Sequence, residues 1–281
     1  MIRKTISFAL VFVAIGSFLY LCTAKSTTTL HVNTPNLIHI GYSHKMQPII
    51  GYSFGEGPTH LVLIGGMHGG YEANTVRLAY RLISFFQHET ELPTGMQITV
   101  VPVANPDGLH AVTGSTGSLA SISASPELRA KGRFNERGVD LNRNFDCNWQ
   151  KQSNWGMQTV SAGTEVFSEP EAQAIKDFML EHMPNAALFL HSKANGVFAS
   201  ACNTPIHEQT LALTRVYAEA SGYPAYESFD AYPITGDAEG YLASIGIPAI
   251  TVELSTHEDI EWEENKKGIE AVMGHLLDTV Y

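Results

Sequence analysis

The sequence predicts an α/β fold: a single domain with a mixed, mostly parallel twisted sheet and helices on both faces. Three observations lead there. Four short runs are apolar without a two-residue alternation: Leu61 to Ile64, Ile98 to Val103, Ala186 to Leu190 and Ala249 to Val252. Strands of that kind need cover on both faces. Between them lie segments with helical spacing, so strands and helices alternate along the chain. The 281 residues, 44% hydrophobic and 16% charged, have an ordinary globular balance, which excludes disorder, collagen and coiled coil and suits one moderate domain.

The elements follow in order. A basic start, Met1 to Lys4, precedes an almost uncharged apolar run from Thr5 to Cys22, and small residues surround Cys22-Thr23-Ala24. Residues 1–24 therefore read as a secretory signal peptide. An uncleaved membrane anchor is the alternative, since the run is near the ~18-residue lower limit for spanning. Tyr20 and Leu21 make Leu19 to Cys22 a poor lipoprotein box. Residues 25–36 are a polar lead-in, and residues 37–281 read as one folded domain. Leu37 to Phe54 reads as a hairpin turning at Lys45-Met46-Gln47-Pro48. After Leu61 to Ile64, residues 75–88 recur at helical spacing, with Val76, Ala79, Ile83 and Phe86 on one face. Residues 108–139 are rich in Gly and Ser and read as a long loop. Ser168-Glu169-Pro170-Glu171 reads as a capping box opening a helix to about Met183. Residues 206–221 form a helix stopped by Gly222, and residues 260–280 an amphipathic final helix.

Charge and cysteine usage narrow the function. Lys plus Arg number 17 against 28 for Asp plus Glu, a net charge of −11. Such a chain is a poor nucleic-acid binder, because neutralising phosphate needs Lys and Arg. Removal of residues 1–24 would leave Cys147 and Cys202. In an exported protein the pair forms one disulfide; two unrelated buried thiols are the other reading.

In such a sheet, functional groups lie at the carboxyl ends of strands. His68, Asn105, His191 and Glu253 occupy those places. In Gly66-Met67-His68-Gly69-Gly70-Tyr71-Glu72, a His and a carboxylate share a Gly-rich turn from strand to helix. Two His and one carboxylate make a catalytic zinc site, although a structural turn with a surface His has the same sequence. Gly138-Val139-Asp140-Leu141-Asn142-Arg143-Asn144-Phe145, preceded by Arg133, sets an amide beside a guanidinium, which suits a carboxylate ligand; a turn whose Arg pairs with a surface acid is the plainer reading. His191 ends one strand, and Glu253 is an acid inside another, costly unless paired or functional.

Together and in this order, these segments resemble the zinc metallocarboxypeptidases of the carboxypeptidase A/B superfamily, over residues 37 to 281. The likeness is nearest to short bacterial secreted members without a large propeptide. It implies a carboxypeptidase-like fold, one zinc per chain, and hydrolysis of a C-terminal peptide or amide bond. By resemblance, His68, Glu72 and His191 are the metal ligands and Glu253 the general base. Arg133 polarises the scissile carbonyl, Asn142 and Arg143 grip the terminal carboxylate, and Tyr232 closes over the substrate. One departure stands out. The family has two residues between its His and Glu, whereas Gly69, Gly70 and Tyr71 intervene here.

The resemblance also places Glu239, with Asp237 beside it, near the position that selects the substrate's last side chain. An acid there favours Lys, Arg or a diaminopimelate-like residue. Alternatively, Asp237 caps a helix beginning near Ala238 and Glu239 faces solvent in its first turn. Of the remaining histidines, His88, His182 and His275 fall on predicted helices and are read as solvated, while His257 is a candidate for the cleft. The expected partner is a peptide or a peptidoglycan-derived stem peptide, met by a monomer in the medium, periplasm or cell envelope. Membrane association follows only if the N-terminal segment is retained. An amidase or deacylase of N-acyl amino acids on the same scaffold is the alternative. A non-catalytic binding module is a third reading, opposed by the complete set of catalytic groups.

Overall fold

Eight strands form one sheet in the computed structural model, which describes residues 32–119 and 124–280. The expected signal segment, 1–24, lies outside the described residues. In chain order the elements are β1 (Asn36–Tyr42), β2 (Pro48–Phe54), β3 (Thr59–Ile64), α1 (Ala73–His88), β4 (Met96–Val101), α2 (Pro106–Thr113) and α3 (Pro126–Lys131). A 3-10 turn (Leu141–Arg143) and the hairpin β5 (Gln152–Trp155) and β6 (Gln158–Ser161) follow. Then come α4 (Pro170–His182), β7 (Ala186–Ser192), β8 (Gly196–Ala199), α5 (Glu208–Ser221), β9 (Ala225–Tyr226), α6 (Ala238–Ser244), β10 (Ala249–Leu254) and α7 (Trp262–Val280).

The sheet order is β1-β2-β4-β3-β7-β10-β8-β9. The four central strands β4, β3, β7 and β10 run parallel, and β1, β2 and β8 add antiparallel pairings. Alternate residues feed two cores. Leu61, Leu63, Leu188, Leu190, Ile250 and Val252 pack under α1, α5 and α7. Val62, Ile64, Ala187, Phe189 and Ala249 pack under α4 and α6. Both faces are covered, so the central strands carry no polar face and read as continuous apolar runs.

Local chemistry sets the ends. Gly222 closes α5 in the left-handed region at φ 85°, where Gly has no Cβ penalty. Two expectations change. Residues 108–139 are not one long loop: they hold most of α2 and all of α3. Asn105 and Ser125 cap these helices, accepting from the backbone amides of Gly108 and Leu128, and a Pro follows each cap. Both helices are short and flanked by Gly and Ser, so composition hides them. The capping box is also not formed. Glu169 is the N-cap of α4 and makes no side-chain cap bond, while the Ser168 hydroxyl donates to Glu169 Oε1 and accepts from Asn144.

Candidate active site

The turn after β3 delivers two side chains to one point. His68 Nδ1 lies 2.8 Å from Glu72 Oε1, and His191 Nδ1, from the end of β7, lies 2.9 Å from Glu72 Oε2. The two Nδ1 atoms are 3.2 Å apart. All three side chains are buried. The extra residue between His68 and Glu72 is absorbed by the glycines. Gly69 has φ +43°, and a Cβ there would lie 2.6 Å from Leu109 N and 2.8 Å from Gly132 O. Only Gly lets this turn press against α2 so closely.

The long segment after α3 supplies the next layer. Arg133 is buried, its Nε 2.8 Å from Asp140 Oδ2 and its guanidinium 4.8 Å over the Trp155 ring. Its Nη1 stands 3.4 Å from His68 Nδ1, so it faces the same point. Asp140 Oδ1 lies 3.3 Å from His68 Nε2. Arg143 is buried as well, with Nη1 donating to Asn142 O at 2.6 Å and Nε and Nη2 to Asn154 O at 3.2 Å. No carboxylate among the described residues lies within ion-pair distance of it. Asp140 and Asp237 act on it only at longer range, and a buried guanidinium without a paired anion favours a ligand that brings one.

These groups line one open pocket of about 430 Å³, shared with Tyr71, Trp155, Tyr232, Asp237, Glu239 and Glu253. Glu253 sits beside His191 in the parallel register of β10 and β7. Its Oε2 accepts from Ala194 N at 2.9 Å. Burial, reinforced by the Glu72 charge and partly offset by His191, pushes the Glu253 carboxyl up to about 7. Burial would also raise Glu72, but the flanking histidines override it and hold that carboxylate well below its ordinary range. Burial would lower His191, but the Glu72 charge raises it well above the usual imidazole value. Burial, then the neighbouring Glu239 charge, pushes Asp237 up to about 6.

The pocket gathers every residue assigned by resemblance to metal, catalysis or substrate. Asp237 does cap α6, accepting from Gly240 N at 2.7 Å. Glu239 does not face solvent. It is buried, 3.2 Å from His191 Nε2, and accepts from Thr251 Oγ1 at 3.1 Å and Asn142 Nδ2 at 3.2 Å. Asn105 is an α2 cap rather than a pocket group. His257 packs edge-on to Tyr71, with Nδ1 2.8 Å from Ser192 Oγ, and stays outside the His68–Glu72–His191 cluster. His88 is exposed, while His182 and His275 are half-buried rather than solvated. Cys147 and Cys202 are bonded, with Cα atoms 5.7 Å apart.

Asp140 and Trp155 were not singled out in the sequence. Asp140 stands inside the Asn-Arg motif, beside the Arg133 it holds. Trp155 comes from a polar hairpin with no alternating pattern to announce a strand.

Zinc fits the His68–Glu72–His191 cluster. One ligand atom from each residue lies within 4.8 Å of the others. Ligands about 2.0–2.1 Å from a tetrahedral ion are separated by ~3.3 Å, and the Nδ1 atoms stand 3.2 Å apart. The Nε2 atoms of both histidines are buried without an aligned hydrogen-bond partner, each beside a carboxylate oxygen. That carboxylate-behind-imidazole pattern accompanies metal-ligating histidines.

Comparison with known proteins agrees. The chain is 29% identical over 186 residues to carboxypeptidase B of Helicoverpa zea, a match covering 59% of this chain and 43% of that protein. It is 24% identical over 171 residues to gamma-D-glutamyl-L-diamino acid endopeptidase 1 of Lysinibacillus sphaericus, covering 57% and 42%. The matched segments thus span less than half of these curated relatives. Among solved structures, carboxypeptidase A of Helicoverpa armigera superposes with a TM-score of 0.67 at 20% identity, over 88% of this chain and 69% of that one. A murein-tripeptide amidase of Escherichia coli O157 superposes at 0.59 and 23% identity, over 86% and 92%. At these identities the structures speak to the fold. The zinc carboxypeptidase family of M14 peptidases matches residues 23–273, most of the sequence, and the chain belongs to that family.

Proposed function

We propose that the chain is a zinc-dependent carboxypeptidase that hydrolyses the last amide bond of a peptide, with one zinc held by His68, Glu72 and His191. The observation that carries this reading is the buried Arg143, which makes no ion pair with any described carboxylate and shares a pocket with the three-residue cluster. When bound, zinc supplies a Lewis acid that polarises a carbonyl and activates water.

The protein's own groups do the rest. Arg143 and Asn142 anchor the substrate's terminal carboxylate and so fix which bond lies over the cluster. Arg133, held by Asp140 and the Trp155 face, donates to the carbonyl oxygen as charge develops there. Glu253 takes a proton from the attacking water and returns it to the departing amine. Tyr232 covers the substrate from the pocket's loop side.

At the far end of the pocket, Asp237 and Glu239 favour a cationic or diaminopimelate-like terminal residue over Phe or Leu. An amidase acting on peptidoglycan stem peptides is the second reading. It is favoured by the same two acids and by resemblance to the two peptidoglycan-type enzymes above. The apolar run before residue 23 and the Cys147–Cys202 bond support export, since disulfides persist in oxidising compartments. Among the described residues no helix is long and apolar enough to cross a membrane. We read the active form as a monomer.

The test combines metal analysis with a panel of peptides ending in Lys, diaminopimelate or Phe, each with a free or amidated C-terminus. One zinc per chain and cleavage only of free carboxyl ends are expected. Purified active protein without divalent metal, or equal cleavage of amidated peptides, would defeat the reading. A Phe preference would remove the acidic-pocket specificity alone.

A further inference from the structure

Glu239 has a second relation to the site that substrate selection does not explain. It stands in the first turn of α6, fully buried, and each of its oxygens is engaged by the protein. Oε1 lies 3.2 Å from His191 Nε2, close but short of an aligned hydrogen bond, and accepts from Thr251 Oγ1 at 3.1 Å. Oε2 accepts from Asn142 Nδ2 at 3.2 Å. The helix beneath it is pinned, because Asn142 Oδ1 accepts from Ala238 N at 2.8 Å and Asp237 caps Gly240 N. A carboxylate used in this way has little capacity left for a substrate ammonium group, although its charge still reaches the pocket.

His191 presents Nδ1 to Glu72 and His68 and Nε2 to Glu239. A neutral imidazole carries one N–H. An acceptor beside Nε2 holds the proton there and leaves the Nδ1 lone pair for a metal. His68 has the same arrangement, with Asp140 Oδ1 3.3 Å from its Nε2. The two imidazoles are thus backed by acids from different segments, one in the Asn-Arg motif and one in α6.

We propose that Glu239 is a positioning residue: it orients His191 for the metal through one oxygen and Asn142 for the substrate carboxylate through the other. The proposal rests on reading His191 as a metal ligand. A carboxylate that touches both is the shortest path by which a change in one is felt at the other.

The test is zinc affinity of the full-length protein, measured by competition with a chromophoric chelator, on wild type, Glu239→Ala, Glu239→Gln, Asp237→Asn and His191→Ala. Loss of such a partner costs roughly 10–100-fold in metal affinity, and that loss is expected for Glu239→Ala. Glu239→Gln keeps the volume and a neutral acceptor for His191, but sets one amide against the other at Asn142. It should recover most of the zinc affinity while raising KM for peptides with a free carboxyl end. Asp237→Asn should leave zinc affinity unchanged. The visible spectrum of the cobalt-substituted protein should shift in Glu239→Ala, because the His191 ring loses its fixed orientation. Wild-type zinc affinity in Glu239→Ala, with affinity lost in His191→Ala, would overturn the proposal and leave the metal site standing. Wild-type affinity in His191→Ala would overturn both. Should Glu239→Ala fail to fold, the Gln variant decides: unchanged KM together with an unchanged cobalt spectrum overturns the role.

Discussion

Glu253 is the residue at which chemistry and stability pull apart. A carboxyl raised to about 7 binds a proton on folding that the unfolded chain, titrating near 4.5, releases. Its stabilising contribution is complete below about pH 4.5 and is lost as pH rises through 7. Ionisation in the folded metal-free protein then costs about 2 kcal/mol, allowing for partial exposure. Glu253→Gln should therefore unfold at a higher temperature than wild type at pH 8, with the gap closing toward pH 4.5. A gap that is constant with pH would deny the raised carboxyl. The same variant should lose ~10²–10⁴-fold in kcat while keeping zinc, the usual scale of general-base catalysis. Near-normal turnover would assign the base elsewhere. Arg143→Ala removes a buried cation whose hydrogen bonds, among the described residues, go to backbone carbonyls. It should raise KM strongly for free-carboxyl peptides, which steady-state kinetics checks; an unchanged KM would deny Arg143 the anchoring role.

Among the elements, what was legible followed from periodicity. The strands β3, β4, β7 and β10 are apolar because both faces are covered, and their carboxyl ends pointed to His68, His191 and Glu253. The helices α2 and α3 escaped because six to eight residues give too few turns to show a stripe. The hairpin β5–β6 escaped because only Ser153 and Val160 of its eight residues are buried. The burial of Glu239 was invisible for a related reason. An acid in the first turn of a helix satisfies the dipole whether it faces solvent or core, and only the packing of α6 against β10 decides. The Cys147–Cys202 bond ties the segment after the Asn-Arg motif to the loop after β8. Its 55-residue separation corresponds to about 4 kcal/mol in the chain-entropy model. The double Cys→Ser variant should lose stability on that scale in denaturant unfolding; a loss below about 1 kcal/mol would mean the loops are already fixed by other contacts.

Taken as a whole, the molecule holds its acids in an uneven way. Glu72, Asp140 and Glu239 crowd two buried histidines and one arginine, an arrangement that a divalent cation would relieve. Zinc should then stabilise by mass action: at a hundred times Kd the gain is about 2.7 kcal/mol. Chelation should lower the melting temperature, and added zinc should restore it in wild type but not in His68→Ala. An unchanged melting temperature on chelation would speak against a resident metal.

The residues that meet in the pocket are drawn from positions 68 to 253: the ends of β3, β7 and β10, the Asn-Arg segment and the first turn of α6. That dispersal bears on when the protein becomes active. Pairings between distant segments are slow to form, because loop closure is paid for before the contacts reward it. β10, which carries Glu253, cannot pair with β7 until the chain has been made through Leu254. A nascent or half-folded chain would hold His68 and Glu72 without His191, Arg143 or the base, and would be inert toward neighbouring polypeptides. In a refolding experiment, hydrolysis should appear with the last kinetic phase, after helical signal has returned.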